Sequence, residues 1–405
     1  MGKNAGRALL PADQPVRVGI AGFGMSGQVF HAPFLDADPR FRIAKVFERS
    51  TEHARAEYPY VRTVRSFGEL LGDDIDLVVL CTPNAEHLPM ALEALAAGKH
   101  VITEKPAAAA AAEADEMRAA AERAGRLFTV FQNRRFDGDF RTVRKLIGEG
   151  ALGDVVDYEA HYDRFVTGPD PKSWRQAGGR GVGILYDLGV HLIDQAYAMF
   201  GMPEELYADF AKQRPETPGP DRFTVTLYYA SGLRAVLSAS EVAAGPGPHF
   251  AVHGTKGSFL KYGMDPQEAA LQSGKRPPRR QTDCGQQESG RQGCGADGGW
   301  GADDPALYGT LARVLEDGSI AKEKVPTVCG DYGLFYDGVF AALAEGAPPP
   351  VAPAEAADVL RILEASLISG KEGRRVRLGL YAAGSSAGSS AGSSAASVSA
   401  GLNAP

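Results

Sequence analysis

The chain is poor in cysteine, tryptophan and uninterrupted apolar sequence, and it has no excess of positive charge. Four cysteines in 405 residues do not make a disulfide framework, so the sequence favours a reducing compartment, the cytoplasm. No apolar run approaches the length of a membrane span, and the N-terminal apolar stretch is too short for a secretory signal. A formal net charge of −7 argues against a nucleic-acid surface. We therefore expect neither nucleic acid nor membrane among the partners.

The order of the predicted elements indicates two domains of different class. Between residues 16 and 133, apolar strands alternate with helices, which is typical of an α/β Rossmann domain with a doubly wound parallel sheet. Between residues 134 and 375, strands follow one another largely without helices, which predicts an α+β domain with an open, mainly antiparallel sheet. Three segments are expected to lie outside the packed regions: a disordered leader (1–15), a low-complexity insert (about 272–304) and a disordered tail (382–405).

A glycine-rich loop follows the first predicted strand directly and precedes a predicted helix. It reads Gly22-Phe23-Gly24-Met25-Ser26-Gly27. The first glycine permits the tight turn, the second lets the backbone approach a pyrophosphate, and the third lets the helix close on the strand. The strand–loop–helix context predicts a dinucleotide site, against the alternative of a glycine-rich turn that binds no ligand.

The end of the second predicted strand bears on the choice of coenzyme. Glu48 ends this strand, where a carboxylate would accept hydrogen bonds from both ribose hydroxyls and favour NAD. Arg49 follows directly and could instead pair with the 2′-phosphate of NADP. The two residues favour opposite coenzymes, and the sequence leaves the choice between NAD and NADP open.

Lys105 lies in the tripeptide Glu104-Lys105-Pro106, after a predicted strand of the parallel sheet. Ligands bind at the carboxyl ends of such strands, and an ammonium group there can stabilise a developing alkoxide. Taken alone, a lysine in a strand-end loop is usually solvated surface. Its combination with the other motifs favours a catalytic role.

Asp187, His191 and Asp194 recur at helical spacing and are expected to share one helix face. His191 titrates near neutral pH and can take a hydroxyl proton as hydride leaves the carbon. Asp194 could hold the imidazole tautomer from behind. The alternative is that His191 is a buried, hydrogen-bonded histidine of a helix–sheet interface. No cluster of ligands suggests a metal site.

In combination, these motifs resemble the Gfo/Idh/MocA oxidoreductase family, in particular its bacterial NADP-dependent scyllo-inositol dehydrogenase branch. The resemblance covers about residues 16–375 and extends to further motifs: Phe30-His31-Ala32-Pro33, Thr82-Pro83-Asn84-Ala85-Glu86-His87, Gln132-Asn133-Arg134-Arg135-Phe136-Asp137, Ser173-Trp174-Arg175, His253-Gly254-Thr255-Lys256-Gly257-Ser258 and Asp265-Pro266-Gln267-Glu268. The insert, the tail and Glu48 depart from the family pattern, because NADP-using relatives often carry a smaller residue in place of Glu48.

The resemblance implies Lys105, Asp187 and His191 as the catalytic residues. It also implies that the remaining motif residues contact NAD or NADP, namely Thr82, Pro83, Asn84, His87, Glu104, Trp174 and Arg175, together with the glycine loop, Glu48 and Arg49.

The function predicted from these residues is the reversible oxidation of a secondary alcohol on a cyclic polyol or sugar, with hydride transfer to NAD or NADP. Two alternatives stay open: a non-catalytic NAD(P)-binding sensor on the same fold, and a reductase of another carbonyl or an imine. A homo-oligomer is expected, because an open sheet face often pairs with its copy.

Overall fold

The computed structural model describes residues 9–168, 181–280 and 299–379, which form two sheets. The first is parallel and has six strands in the order β3-β2-β1-β4-β5-β6. Its strands are β1 (Val16–Ala21), β2 (Phe41–Phe47), β3 (Arg62–Val64), β4 (Leu77–Leu80), β5 (His100–Thr103) and β6 (Phe128–Val130). The helices between them are α1 (Ala32–Ala37), α2 (His53–Glu57), α3 (Phe67–Leu70), α4 (Asn84–Ala96) and α5 (Ala111–Ala124).

The second sheet has nine strands and is mainly antiparallel, with one parallel pair, β7 with β10, in the order β14-β13-β12-β11-β7-β10-β9-β8-β15. Its strands are β7 (Val155–Asp163), β8 (Glu205–Ala211), β9 (Arg222–Tyr228), β10 (Arg234–Ser240), β11 (Phe250–Gly254), β12 (Gly257–Lys261), β13 (Gly309–Val314), β14 (Ile320–Val325) and β15 (Val376–Arg377). The accompanying helices are α6 (Gly138–Gly148), α7 (Val190–Phe200), α8 (Gln267–Gln272), α9 (Gly333–Phe340) and α10 (Pro353–Glu372).

The burial patterns of the strands explain the two sheet types. Every residue of β4 and β5 is buried, because helices cover both faces of a parallel sheet and select continuous apolar runs. In β9 and β10, buried residues alternate with more accessible ones, because helices cover one face of that sheet. The predicted fold class is therefore confirmed. The domain boundaries drawn from the sequence remain predictions.

The helix α10 connects the two sheets. It packs on α5 beside the parallel sheet and on α7 and β8 beside the second sheet. At its start, the Val351 carbonyl accepts a hydrogen bond from Thr129 Oγ1 in β6 at 2.8 Å. Apolar residues from both sheets accordingly belong to one continuous buried cluster.

Parts of the leader and of the insert are packed instead of lying outside the fold. Leu10 donates its backbone N–H to the Leu343 carbonyl at 2.9 Å and packs against the core. At the two ends of the insert, the Arg280 N–H donates to the Ala37 carbonyl at 2.9 Å, and Trp300 contacts Phe34. Short apolar or aromatic anchors within polar sequence explain why composition alone did not reveal this packing. The tail lies outside the described residues.

Among the described residues, Cys81 is a free cysteine of intermediate burial. The cytoplasmic location expected from the sequence stays a prediction. Within the described part of the chain, no helix has the length and apolarity needed to cross a membrane.

Two glycines of α6 provide a matched test of close packing. A Cβ on Gly138 would lie 2.2 Å from the Val328 carbonyl oxygen, whereas a Cβ on Gly148 would meet no atom within 4 Å. We predict that Gly138→Ala lowers the free energy of unfolding by about 1–3 kcal/mol, because the overlap falls on backbone. Gly148→Ala should raise it by about 0.5–1 kcal/mol, because alanine is the better helix former. Denaturant titration of both variants measures the two effects, and equal values would contradict the packing described.

Candidate active site

A cavity of about 970 Å³ lies where the carboxyl ends of β1, β4 and β5 face the start of α7 and the second sheet. Its walls include the glycine loop, the loop after β4, the Glu104-Lys105-Pro106 segment and residues on either side of Asp187 and His191. The carboxyl edge of a parallel sheet is where doubly wound folds bind ligands. The two sets of motif residues predicted from sequence thus meet in one cavity.

The glycine loop has the geometry that a dinucleotide requires. Gly22 has φ +92°, and a Cβ on Gly27 would lie 2.7 Å from the Gly22 carbonyl oxygen, so both positions require glycine. A Cβ on Gly24 would meet nothing within 4 Å, and Gly24 lines the cavity, so its bare backbone is open to a ligand. These residues fit a bound pyrophosphate. The helix predicted after the loop begins with a π-helical segment, Ser26–His31, and continues as α1.

Within the loop, Met25 and Ser26 line the cavity with Gly24, whereas the Phe23 side chain is buried against Tyr58. Phe23 can therefore contact a ligand only through its backbone.

Lys105 reaches across from the parallel sheet to the segment that leads into α7. Its Nζ donates to the Asp187 carbonyl oxygen at 2.9 Å and lies 3.2 Å from Asp187 Oδ1. Its backbone N–H donates to Glu104 Oε2 at 3.0 Å, and the Lys105–Pro106 peptide is cis. Asp187 therefore holds the ammonium group at the cavity wall, and Glu104 holds the backbone of the same residue.

Asp187 and His191 come from different helical segments of the same stretch of chain. Asp187 lies in a π-helical turn, Leu185–Gly189, and His191 lies in the first turn of α7. Both line the cavity. His191 is only 5% exposed, and its Nδ1 has no hydrogen-bond partner among the described residues. Burial, aided by the positive charges of Lys105 and Arg134, holds the pKa of His191 well below its usual range, so the imidazole is neutral.

Asp194 does not hold the His191 tautomer, contrary to the sequence-based suggestion. Its carboxylate accepts two hydrogen bonds from Arg135, at 2.8 and 2.7 Å, and Arg135 also pairs with Glu355 at 2.6 Å. A buried carboxylate takes the nearest strong donor, and here a bidentate guanidinium is available from the turn after β6. Asp194 therefore anchors α7 to the parallel-sheet side of the molecule.

Glu48 also differs from its predicted role. It is 4% exposed, does not line the cavity, and accepts hydrogen bonds from Thr51 Oγ1, His53 N and Ala54 N at 2.6, 3.1 and 3.1 Å. The backbone N–H groups at the start of α2 have no partner within the helix, and the Glu48 carboxylate accepts hydrogen bonds from them instead of facing the cavity where a ribose would bind. Arg49 is exposed in the loop that follows β2, beside the start of the glycine loop.

The loop after β4 contributes both to the wall and to its support. Thr82, Pro83 and Asn84 line the cavity, and Asn84 Nδ2 donates to the Gly181 carbonyl at 2.7 Å. His87 is fully buried and does not line the cavity. Its Nε2 lies 2.9 Å from the Thr82 carbonyl, so this residue braces the loop instead of touching a coenzyme. Trp174 and Arg175 lie outside the described residues.

Several wall residues had no role in the sequence-based site. They lie on β7, on α8 and in the segments that follow β6, β7, β8, β10 and β12, and they include Arg134, Tyr162, Asp163, Arg164, Thr217, Glu241, Met264, Glu268 and Gln272. Arg134 and Glu268 belong to motifs on which the family resemblance rests. That resemblance was the sequence signal that could have placed them at the site. No group of three or more His, Cys, Asp or Glu residues in the described ranges could hold a metal ion.

Comparison with known proteins assigns the chain to a family. An oxidoreductase family model with an NAD-binding Rossmann fold matches residues 16–132, and the GFO/IDH/MocA C-terminal domain matches residues 140–260. The chain belongs to the Gfo/Idh/MocA oxidoreductase family. Its coenzyme is accordingly NAD or NADP, as predicted.

Individual relatives match over most of their length. The chain is 38% identical to the scyllo-inositol 2-dehydrogenase (NADP(+)) IolW of Bacillus subtilis, over 90% of this chain and 96% of that protein. It is 37% identical to the oxidoreductase YdgJ of Escherichia coli, over 88% and 96%. The solved structure of the oxidoreductase yvaA from Bacillus subtilis superimposes with a TM-score of 0.82 at 36% identity, covering 90% and 98% of the two chains.

Proposed function

We propose that this oxidoreductase is an NADP-dependent dehydrogenase that interconverts a secondary alcohol and a ketone on a neutral cyclic polyol or sugar. The observation that carries the proposal is the meeting of Lys105, Asp187 and His191 at one cavity beside a dinucleotide-binding glycine loop. A relative that matches nearly end to end is an NADP(+)-dependent scyllo-inositol 2-dehydrogenase, which supports both the polyol and the coenzyme.

The proposed reaction divides the two hydrogens of the alcohol between coenzyme and protein. When bound, the oxidised nicotinamide coenzyme accepts the hydride, with both electrons of the C–H bond. His191 takes the hydroxyl proton on an imidazole nitrogen, and the carbon–oxygen bond becomes a carbonyl. The Lys105 ammonium group stabilises the oxygen while it carries negative charge. Asp187 holds that ammonium in place and keeps the local charge balanced.

The charges of the cavity support a neutral substrate. Each charged side chain among the described lining residues has an oppositely charged partner, for example Arg134 with Glu268 and Arg164 with Glu241. Asp221 and Asp163 are likewise paired, with Arg214 and His161. Such walls offer alternating donors and acceptors without a free excess charge, which suits a ring of hydroxyl groups better than a phosphate or a carboxylate.

The loop after β2 supports NADP over NAD. The Glu48 carboxylate, which would repel a 2′-phosphate, is buried and bonded to the start of α2. Arg49 is exposed, and Arg65 braces this loop by donating to the Glu48 and Thr51 carbonyls. An exposed cation at this strand end, with the Glu48 carboxylate directed to α2, is the arrangement that accommodates a 2′-phosphate.

The test of the function is an activity screen of the full chain with inositol isomers, sugars and sugar phosphates, using both coenzymes, alongside Lys105→Met. We expect turnover of a neutral polyol or sugar, and a fall in kcat of about 10²-fold or more in the variant, because the alkoxide loses its cation. Lys145→Met, at an exposed lysine of α6, should behave as the wild type. Coenzyme binding without turnover of any compound would favour a non-catalytic NAD(P)-binding sensor. Turnover of only an imine or an acyclic carbonyl would favour a reductase of such substrates.

The pH dependence tests the role of His191. Because the pKa of His191 is lowered, the imidazole is already a base at neutral pH, and alcohol oxidation should lose rate only as the pH falls well below about 6.5. His191→Asn should remove this acid limb and lower kcat by about 10²- to 10⁴-fold. His253→Asn, on β11 and outside the cavity, provides the control. A retained acid limb in His191→Asn would assign proton transfer to another group.

Coenzyme preference tests the roles of Arg49 and Glu48 separately. Arg49→Ala should shift the ratio of kcat/KM for NADP over NAD toward NAD by about 1–3 kcal/mol, the value of a charged hydrogen bond. Glu48→Gln should leave that ratio within about twofold and lower the free energy of unfolding by about 1 kcal/mol, because it weakens the bonds to α2. A change of coenzyme preference in Glu48→Gln, with unchanged stability, would contradict the orientation described for this carboxylate.

A further inference from the structure

A buried ion pair lies directly beside Lys105, and the proposed chemistry does not use it. Glu104 directly precedes Lys105 in the loop after β5. His31 is the last residue of the π-helical segment Ser26–His31. His31 Nε2 lies 2.8 Å from Glu104 Oε1, and His31 is completely buried. Glu104 is 9% exposed and lines the cavity. One member of the pair therefore faces the ligand, while the other lies behind it.

The partners of Glu104 orient its carboxylate from three directions. Oε1 accepts hydrogen bonds from His31 and from the Ser26 hydroxyl of the glycine loop, and Oε2 accepts the Lys105 backbone N–H at 3.0 Å. Although burial opposes ionisation, His31 and Ser26 lower the pKa of Glu104 to about 2. The residue is therefore a carboxylate anion at neutral pH.

The surroundings of His31 favour its cationic form. Its Nδ1 lies 2.6 Å from the Tyr336 hydroxyl and its Nε2 lies 2.8 Å from Glu104 Oε1, so a protonated ring has an acceptor at each nitrogen. Burial opposes a charged imidazole, but the Glu104 carboxylate favours it, and the pKa of His31 is held above its usual range. The ring also packs on Phe131, which keeps water away from the pair.

The location of the pair relates it to the charge of the coenzyme. If Lys105 and His191 act on the substrate, the nicotinamide end of the coenzyme must lie at the same part of the cavity, where Glu104 forms the wall. The nicotinamide ring carries a positive charge when oxidised and none when reduced. A carboxylate at this wall favours the oxidised form, and a cation behind that carboxylate opposes the preference.

We propose that the His31–Glu104 pair sets the relative affinity of the site for oxidised and reduced coenzyme, with Glu104 favouring the oxidised form and His31 offsetting part of that effect. The inference rests on the proposed function only for the presence of a nicotinamide coenzyme near Lys105. A pair that acts through its charge differs in one measurable consequence from a pair that only stabilises the structure. Loss of a brace weakens binding of both forms together, whereas loss of either charge moves the ratio of the two affinities, and in opposite directions for the two residues.

The experiment measures dissociation constants of NADP⁺ and NADPH by calorimetry and fluorescence for the full chain, His31→Gln, Glu104→Gln and the double variant. We expect His31→Gln to shift the affinity ratio toward NADP⁺ by about 3- to 10-fold and Glu104→Gln to shift it toward NADPH by a similar factor. The double variant should lie near the wild type. Glutamine can still donate a hydrogen bond at position 31 and retains the size of the side chain at position 104.

Asp194→Asn is the matched control, because it neutralises another buried, ion-paired carboxylate that does not line the cavity. Its affinity ratio should stay within about twofold of the wild type. Shifts in the same direction for His31→Gln and Glu104→Gln, or equal weakening of both coenzyme forms, would overturn the proposal. If Glu104→Gln fails to fold, His31→Gln alone decides between the predicted shift and none. A wild-type chain that binds neither coenzyme form would contradict the proposed function instead.

Discussion

The contact between Lys105 and Asp187 is the interaction on which the site depends, because it joins two separately built halves. Lys105 stands at the end of β5 in the parallel sheet, and Asp187 stands in the turn that leads into α7 beside the second sheet. A distance of 3.2 Å between Lys105 Nζ and Asp187 Oδ1 requires the two sheets and their helices to keep a fixed relative position. The Asp194–Arg135 pair and the packing of α10 on α5 and α7 hold that relative position from the buried side. The contacts that stabilise the fold therefore also position the candidate site.

Charged side chains at the site occur in oppositely charged pairs. Burial of each ion costs free energy, and hydrogen-bond donors or counter-ions next to it offset that cost. Burying an isolated ion is very unfavourable, so each buried carboxylate near the cavity has a cation or several N–H donors within hydrogen-bond distance. Glu104, Asp194 and Glu48 all follow this rule with different donors. His191 is the exception: it is buried next to cations, and it meets the cost by remaining neutral. A neutral imidazole is also the form that accepts a proton.

The sequence predicted the parts of the fold and site that depend on local pattern. The glycine loop, the apolar run of β4 and the alternation in β9 each follow from residues adjacent in the chain. The strand β3 was missed because three residues are too few to show alternation. The π-helical turn at Asp187 was missed because its extra residue per turn leaves no compositional trace. Lys105, Asp187 and His191 were brought together by the family resemblance, since no local pattern relates residues 82 positions apart.

Side-chain direction was the hardest property to predict, and Glu48 and Asp194 show why. Both lie where the sequence placed them, Glu48 directly after β2 and Asp194 on α7. In each case the strongest available donor lies elsewhere: the free N–H groups of α2 for one, and Arg135 for the other. Secondary structure fixes the backbone position of an acidic residue, but competition among hydrogen-bond donors decides the direction of its side chain. The donors to Glu104 are Ser26, His31 and the Lys105 backbone N–H, and all three hold its carboxylate at the cavity wall.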